Sequence, residues 1–401
     1  MRAFLSFSGL LLGLLLATPV LAKEGDTFRP YVSYTRYYDG NLFRLDKGES
    51  TVVVENGSSV LVNKQNGSDQ YGVLSAGLNV DWTPGRQQIL ASVSKSQVRF
   101  SRYSALDNDG SDYSLKWNWS VGNHWSGQAG ASQSVAQSSF TDFAFRSANN
   151  LVTRDNRFAN SDWQFHPRWN VGLGVAAATI SNSANTQTTL NYDDSSVYVT
   201  LGYTTPKGSK LRGEVRQTSS EYPNRRTSYQ FYTQTELNVL ADWSVNGKLA
   251  ARGKLGYVQR DNDTLGTQNL SGVAGRLSAD YSLTGKTALS WAIYRETANS
   301  DDVNATYQLN TGTSLGLAWR ATSKISLRAS TSFENRSFEG DVGFGGVQRD
   351  EDTLSNSLSL SYAPVRMATI DLGVQSGWRD SNISNGSYTF NSVFFSLRAD
   401  F

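Results

Sequence analysis

The chain has 401 residues, with 37 Lys and Arg against 35 Asp and Glu, a formal net charge of +2, two histidines and no cysteine. Without cysteine there is no disulfide framework and no thiolate metal or iron–sulfur site, and a near-neutral balance does not supply the basic excess of a nucleic-acid binder. Aromatic residues at 12% and charged residues at 18% are the reverse of a disordered composition, although the mean hydropathy of −0.42 is polar on average.

At the start of the chain Arg2 precedes an apolar run from Leu5 to Leu16, and Val20-Leu21-Ala22 has the form of a cleavage site. The pattern predicts a signal peptide over 1–22, cleaved near Ala22, and a single domain over 23–401. An uncleaved anchor is the competing reading, but the run is short for a span. No later segment approaches the roughly 18 consecutive apolar residues of a transmembrane helix.

From there on, apolar residues recur with period 2, the signature of half-buried strands. A first strand is expected at 31–38, followed by a long polar loop, 39–70. In it Thr51–Val54 and Ser59–Val62 flank Asn56-Gly57 as a small hairpin, so the loop either caps or plugs whatever the strands enclose. Next, Leu74, Ala76, Leu78, Val80 and Trp82 alternate with polar or small residues, as do Tyr113, Leu115, Trp117, Trp119 and Val121, and later Leu309 through Trp319. Similar segments lie near 87–100, 125–137, 156–165, 170–180, 195–204, 210–217, 228–243, 249–259, 271–281, 287–296, 325–334, 354–362, 368–378 and 388–401. The total is about 18 strands, with about 16 to 20 remaining open.

Two kinds of connection alternate. Short turns rich in Pro, Gly and Asn fall at Thr83-Pro84-Gly85, Gly122-Asn123, His166-Pro167, Pro206-Lys207-Gly208, Asn246-Gly247, Thr284-Gly285, Thr322-Ser323 and Ala363-Pro364. Long polar loops occupy 101–112, 138–155, 181–194, 218–227, 260–270, 297–306, 335–353 and 379–387. Short turns at one end and long loops at the other are the layout of an all-β, transmembrane, antiparallel up-and-down barrel in the bacterial outer membrane, with periplasmic turns and extracellular loops.

Aromatic residues end successive strands just before the short turns, at Trp82, Trp119, Trp163, Tyr203, Trp243, Tyr281, Trp319 and Tyr362, spaced 37 to 44 residues apart. A period near 40 also belongs to propeller blades, which pack four short strands into that length. Here each repeat holds two long strands, a tight turn and a long loop, so the period is a hairpin. The rings are expected to form a girdle at the periplasmic border of the bilayer. A soluble β-sandwich core would give its tryptophans no reason to gather at one set of turns.

The opposite face describes the interior. Ser355, Ser357, Ser359 and Ser361 make one all-serine face, and Gly312, Ser314, Gly316 and Ala318 leave another nearly bare, which fits a watery lumen better than a packed core. Arg212, Glu214 and Arg216, then Glu236 and Asp242, Arg252 and Lys254, Arg276 and Asp280, and later Arg328, Asp371 and Arg398 line it. Either these charges pair across neighbouring strands and support the wall, or the arginines guide a hydrated, acidic chain, with Tyr198, Tyr232 and Tyr294 offering weak stacking. Asp81, Asp162, Asp242, Asp280 and Asp400 each precede a strand-end ring, either as a negative ring at the periplasmic mouth or simply as polar-inside, aromatic-outside alternation with no selective role.

Signs of catalysis are sparse. His124 and His166 both sit at short turns, away from a partner with which a Ser-His or Asp-His constellation could form on the outer loops. Gly285-Lys286-Thr287 ends like a phosphate loop, but Asp280 stands where its first glycine belongs. Asp107-Asn108-Asp109-Gly110 opens like a calcium loop, but the twelfth position is Asn118 rather than Glu. It and the other acid groups (Asp193-Asp194, Asp261 and Asp263, Asp301-Asp302, Asp350-Glu351-Asp352) are expected to be solvated loop residues. No enzyme activity, cofactor or metal is expected.

Val393, Phe395, Leu397, Ala399 and Phe401 alternate along the final strand, with Phe395, Leu397 and Phe401 resembling the signal read by the barrel-assembly machinery. Asp26-Thr27-Phe28-Arg29-Pro30-Tyr31-Val32, followed by Tyr38-Asp39-Gly40-Asn41-Leu42-Phe43-Arg44-Leu45, resembles the opening of the EpsL-type exopolysaccharide-biosynthesis barrels, over about 20 residues. Gly40 stands where that pattern has a polar residue. The resemblance implies a non-enzymatic conduit for polysaccharide in the outer-membrane lipid bilayer, partnered by a periplasmic or lipoprotein export protein. A general or sugar-selective diffusion porin is the rival; a soluble propeller or lectin and a barrel-borne enzyme fit less well.

Overall fold

In the computed structural model, residues 27–55, 58–141, 149–225, 230–262, 269–299, 305, 307–339 and 348–401 are described. The expected signal peptide, the Asn56-Gly57 turn and the acids Asp263, Asp301 and Asp302 lie outside them. The alternating segments form strands β1 (Phe28–Asp39), β2 (Ser50–Glu55), β3 (Ser58–Asn63), β4 (Asp69–Trp82), β5 (Gln88–Phe100), β6 (Asn108–Val121), β7 (Trp125–Gln137), β8 (Leu151–His166), β9 (Trp169–Asn182) and β10 (Tyr192–Thr204). They continue with β11 (Lys210–Glu221), β12 (Phe231–Ser244), β13 (Leu249–Asn262), β14 (Leu270–Ser282), β15 (Thr287–Ala298), β16 (Tyr307–Arg320), β17 (Ile325–Glu339), β18 (Asp350–Val365), β19 (Ala368–Ser381) and β20 (Tyr388–Asp400).

Apart from β2 and β3, which pair only with each other, these strands form one 18-stranded antiparallel meander. It closes because β1 pairs with β4 on one side and β20 on the other, from Tyr31 opposite Asp400 to Asp39 opposite Ser392. Closure leaves the meander without a first or last edge strand, which a membrane interior demands. Eighteen strands about 4.8 Å apart and tilted about 40° enclose a cylinder about 35 Å across, too wide for wall side chains alone to fill.

Exposure is inverted relative to a water-soluble protein. On β12 and β13 the outward Leu237 and Leu255 are 62% and 63% exposed, whereas the inward Glu236 and Asn238 are 8% and 1% exposed. That distribution is stable only if lipid covers the outer wall. On β13 the outward positions Leu249, Ala251, Gly253, Leu255 and Tyr257 are apolar or glycine, and Gln259 and Asp261 follow. Nine tilted residues rise roughly 22 Å, close to the roughly 25 Å apolar band of such barrels. At its lower border the rings adjoin: Trp125 stacks on Trp163 at 6.0 Å, and Trp169 meets Tyr203 at 4.8 Å.

The strands continue past this band, which corrects several loop boundaries. β6 starts at Asn108, β8 at Leu151 and β18 at Asp350, while β17 reaches Glu339 and β19 Ser381. Above the lipid both faces meet water, so the alternation fades while the hydrogen-bond ladder persists. Asp109, Asp112, Asp193, Asp194, Asp261, Asp350, Glu351 and Asp352 are therefore strand residues, not loop acids. Asp107 accepts the Phe100 N–H at 2.7 Å, and Asp109 pairs with Arg99 at 2.8 Å.

The first loop carries a small core of its own. Leu42, Phe43, Leu45, Val53, Val62, Tyr103 and Leu106 are buried together, and Tyr71, Phe100 and Phe140 flank them. Asn41 anchors the loop to the wall by donating to the carbonyls of Leu45 and Thr389 at 2.8 Å each. Arg44, at φ 55°, pairs with Asp39 and lies 4.4 Å over the inward ring of Phe390. Part of the loop thus folds into the upper lumen, while Val52, Val54 and Leu61 of the hairpin are exposed.

Candidate functional site

All ten cations and rings expected to line the lumen, Arg212, Arg216, Arg252, Lys254, Arg276, Arg328, Arg398, Tyr198, Tyr232 and Tyr294, occupy inward positions. Their arrangement is layered. Tyr198 lies over Gly174 of the adjoining strand, where an added Cβ would overlap its ring, and Arg216 lies over Tyr198 at 4.2 Å. Tyr294 lies over Gly312 with Arg276 at 4.3 Å, and Tyr31 lies over Gly77 with Arg398 at 3.9 Å. Arg260 covers Tyr232 at 3.9 Å. The three tyrosines expected to offer stacking faces thus each hold a guanidinium instead, a cation–π arrangement that fixes a flexible side chain.

Carboxylates complete these units. Arg216 pairs with Glu214 at 3.1 Å, Arg276 with Glu296 at 2.7 Å and Arg398 with Asp400 at 2.7 Å. Lys254 pairs with Glu236 at 2.9 Å, and Arg252 approaches Asp280 at 3.7 Å. Asn238 donates to both Glu214 and Glu236, so one network runs from Arg216 through Glu214, Asn238 and Glu236 to Lys254 across β11, β12 and β13. Such half-buried pairs mainly fix geometry. Arg212 and Arg328 have no ion-pair partner among the described residues.

Arg212 and Tyr198 also line a polar alcove of about 530 Å³ on the inner wall, with Lys116, Asn118, Gln128, Asn160, Asp162 and Thr200 among its other walls. Gly172 leaves room there that a side chain would take from Thr200 and Asp162. Alternating amides, hydroxyls, a carboxylate and cations can exchange hydrogen bonds with a hydroxyl-rich solute. Lys116, Asn118 and Asn160 escape sequence reading because each is an ordinary polar residue in an alternating strand; only registering the six strands β6 to β11 side by side brings them together with Arg212.

Next to the β1–β20 closure, a different wall appears. Phe394, Tyr37, Tyr71 and Phe100 sit on four adjacent strands and face inward, with successive ring centroids 5.8, 4.8 and 5.0 Å apart. Tyr37 and Tyr71 are nearly parallel, 13° apart. Tyr71 and Phe100 also pack against the first-loop core, so the row joins that core to the wall. Its signal in the sequence is that Tyr31 and Tyr37 fall out of phase with the outward Val32, Tyr34 and Tyr38.

At the loop end, Glu351 is fully buried, pairing with Arg349 at 2.7 Å, Arg336 at 2.5 Å and Arg379 at 3.5 Å. Arg379 also donates to the Thr141 carbonyl at 2.7 Å, so the stretch just after β7 reaches β19. Among the described residues no cluster of three or more His, Asp or Glu has metal-binding geometry. The expected girdle residues, Trp82, Trp119, Trp163, Tyr203, Trp243, Tyr281, Trp319 and Tyr362, lie on the turn side, and Phe395 and Leu397 face outward on β20. The Phe401 amide donates to the Pro30 carbonyl at 2.8 Å.

Residues 208–401, covering β11 to β20, match the model of a family described as "Putative beta-barrel porin 2". No curated protein matches the sequence. The fold is similar to that of OpdK from Pseudomonas aeruginosa, solved with vanillate, at a TM-score of 0.50 and 11% identity over 93% of this chain and 99% of that one. OccK2 (OpdF) from the same organism aligns with a TM-score of 0.48 and 12% identity over 93% and 98%. The chain has a porin-like outer-membrane barrel fold.

Proposed function

We propose that the protein is a non-enzymatic channel of the bacterial outer membrane through which saccharide passes, and that its cargo is a secreted polysaccharide. The polar alcove beside Arg212 carries this reading, because alternating amides, hydroxyls and charged groups on the inner wall can exchange hydrogen bonds with the hydroxyls of a passing sugar. The EpsL-like opening at Asp26–Val32 supports the polysaccharide assignment. On this reading residues 1–22 direct export, 23–401 form the barrel, the assembly machinery reads β20, and a periplasmic or lipoprotein export partner delivers the chain to the turn side.

A diffusion porin for small solutes is the second reading, favoured by the loops that fold inward: Arg44 over Phe390 and Arg379 bound to the Thr141 carbonyl narrow the mouth. Deleting the gene in a polysaccharide-producing host should abolish the surface polymer while synthesis continues; undiminished secretion would overturn export. Liposome swelling with sugars of rising size then separates the two. A sharp cutoff at small sugars together with normal secretion in the deletion strain identifies the porin.

A further inference from the structure

The seam between β14 and β15 differs from its neighbours. Its ladder starts at Ser282 opposite Ala288 and stops at Gly275 opposite Arg295, although both strands continue. β14 stays paired with β13 as far as Leu270 opposite Arg260, and β15 with β16 as far as Ala298 opposite Gln308. The wall therefore divides above Gly275. The cause is visible just beyond β15: Asn299 accepts from the Tyr232 hydroxyl at 2.6 Å and donates to Asp194 at 3.2 Å, drawing the strand end inward toward β12 and β10. On the lumen side the division is bridged by Arg276, whose Nε and Nη2 donate to the two Glu296 oxygens at 2.9 and 2.7 Å.

The same place carries a groove of about 710 Å³, lined by the outward Val239, Leu255, Val273, Leu277 and Ile293, with Arg295 among its lining residues. It is recessed where Gly253 is an outward position without a side chain. The volume lies within the range of ordinary ligand sites. Because these residues face lipid, the adjacent solute is an acyl chain, and Arg295 sits at the loop-side limit of the apolar band, at the depth of lipid head groups.

We propose that this groove binds one acyl chain of a phosphate-bearing lipid of the outer leaflet, with the Arg295 guanidinium on its phosphate. The site is independent of what passes through the lumen.

The full-length protein in vesicles containing phosphatidylglycerol with a photoreactive diazirine in its acyl chain provides the test, with crosslinks mapped by mass spectrometry. The site predicts crosslinks concentrated on Val273 and Ile293. An added Cβ at Gly253 meets nothing nearer than Leu277 Cδ1 at 3.8 Å, so Gly253→Leu fills the groove without straining the wall and should reduce these crosslinks at least tenfold. Gly213→Leu, on β11 where an added Cβ meets nothing within 4 Å, should leave them unchanged. Arg295→Gln should reduce labelling by the phosphatidylglycerol probe but not by its phosphate-free diacylglycerol counterpart. Crosslinks spread evenly around the barrel, or labelling of Val273 and Ile293 that persists in Gly253→Leu, would overturn the proposal; labelling equally insensitive to Arg295→Gln for both lipids would overturn the phosphate contact. Heat-modifiable gel migration verifies folding of each variant.

Discussion

At the scale of single residues, the charges divide into those held by the wall and those available to a solute. Arg216, Arg276 and Arg398 each have a ring on one side and a carboxylate partner, whereas Arg212 and Arg328 have no ion-pair partner among the described residues. The double variant Arg212→Ala/Arg328→Ala should therefore shift ion selectivity toward cations with little loss of stability, read as a change in reversal potential across a planar bilayer under a salt gradient. Glu351 is a different case: removing its carboxylate leaves Arg336, Arg349 and Arg379 crowded at a buried site. Glu351→Ala should cost about 3 to 5 kcal/mol, measurable as a lower unfolding midpoint in urea. Alternation assigns these residues to the inner face, but not their partners. The arginines around Glu351 come from strand ends that read as polar loop, because no lipid-facing apolar residue marks them as strand.

At the scale of the element, each strand changes its outer chemistry as it leaves the bilayer. On β12 the outward Leu237 lies within the apolar band and Thr233 above it. Leu237→Arg should cost about 2 to 4 kcal/mol and Thr233→Arg about 0 to 1, compared by urea titration of the barrels folded in liposomes. The number and direction of the strands are legible in the sequence because lipid enforces period 2 only within this band; their upper ends are not, because water makes no such demand. The β2–β3 hairpin is held partly by Glu55, which accepts from the Ser104 hydroxyl and from the Ala105 N–H at 3.0 Å. These bonds, with the Ser104 side chain the larger cause, hold its carboxyl below the ordinary value of 4.5. Because the folded pKa lies below the unfolded one, the contact contributes fully above the ordinary value and is lost as pH falls through the folded value. Faster hydrogen exchange of the β2–β3 amides on acidification, mimicked at neutral pH by Glu55→Gln, is the expected result; exchange indifferent to both would refute this tether.

Over the whole molecule, the wall is wider than its side chains, so inward-folding loops set the size of the passage. Phe43 is the pivot of the first of these, fully buried and edge-on to Tyr103 at 4.9 Å and to Phe140 at 5.4 Å. Phe43→Ala should loosen the loop without unfolding the barrel, raising single-channel conductance and its open-channel noise. Closure through β1 and β20 has a temporal consequence as well. A ring joined through its first and final strands has no stable partial form: until Ser392 to Asp400 arrive opposite Asp39 to Tyr31, any shorter sheet has two bare edges and nowhere to bury them. The chain must therefore remain unfinished and sheltered from its own kind until the whole meander is present, and insertion and closure become a single, late event.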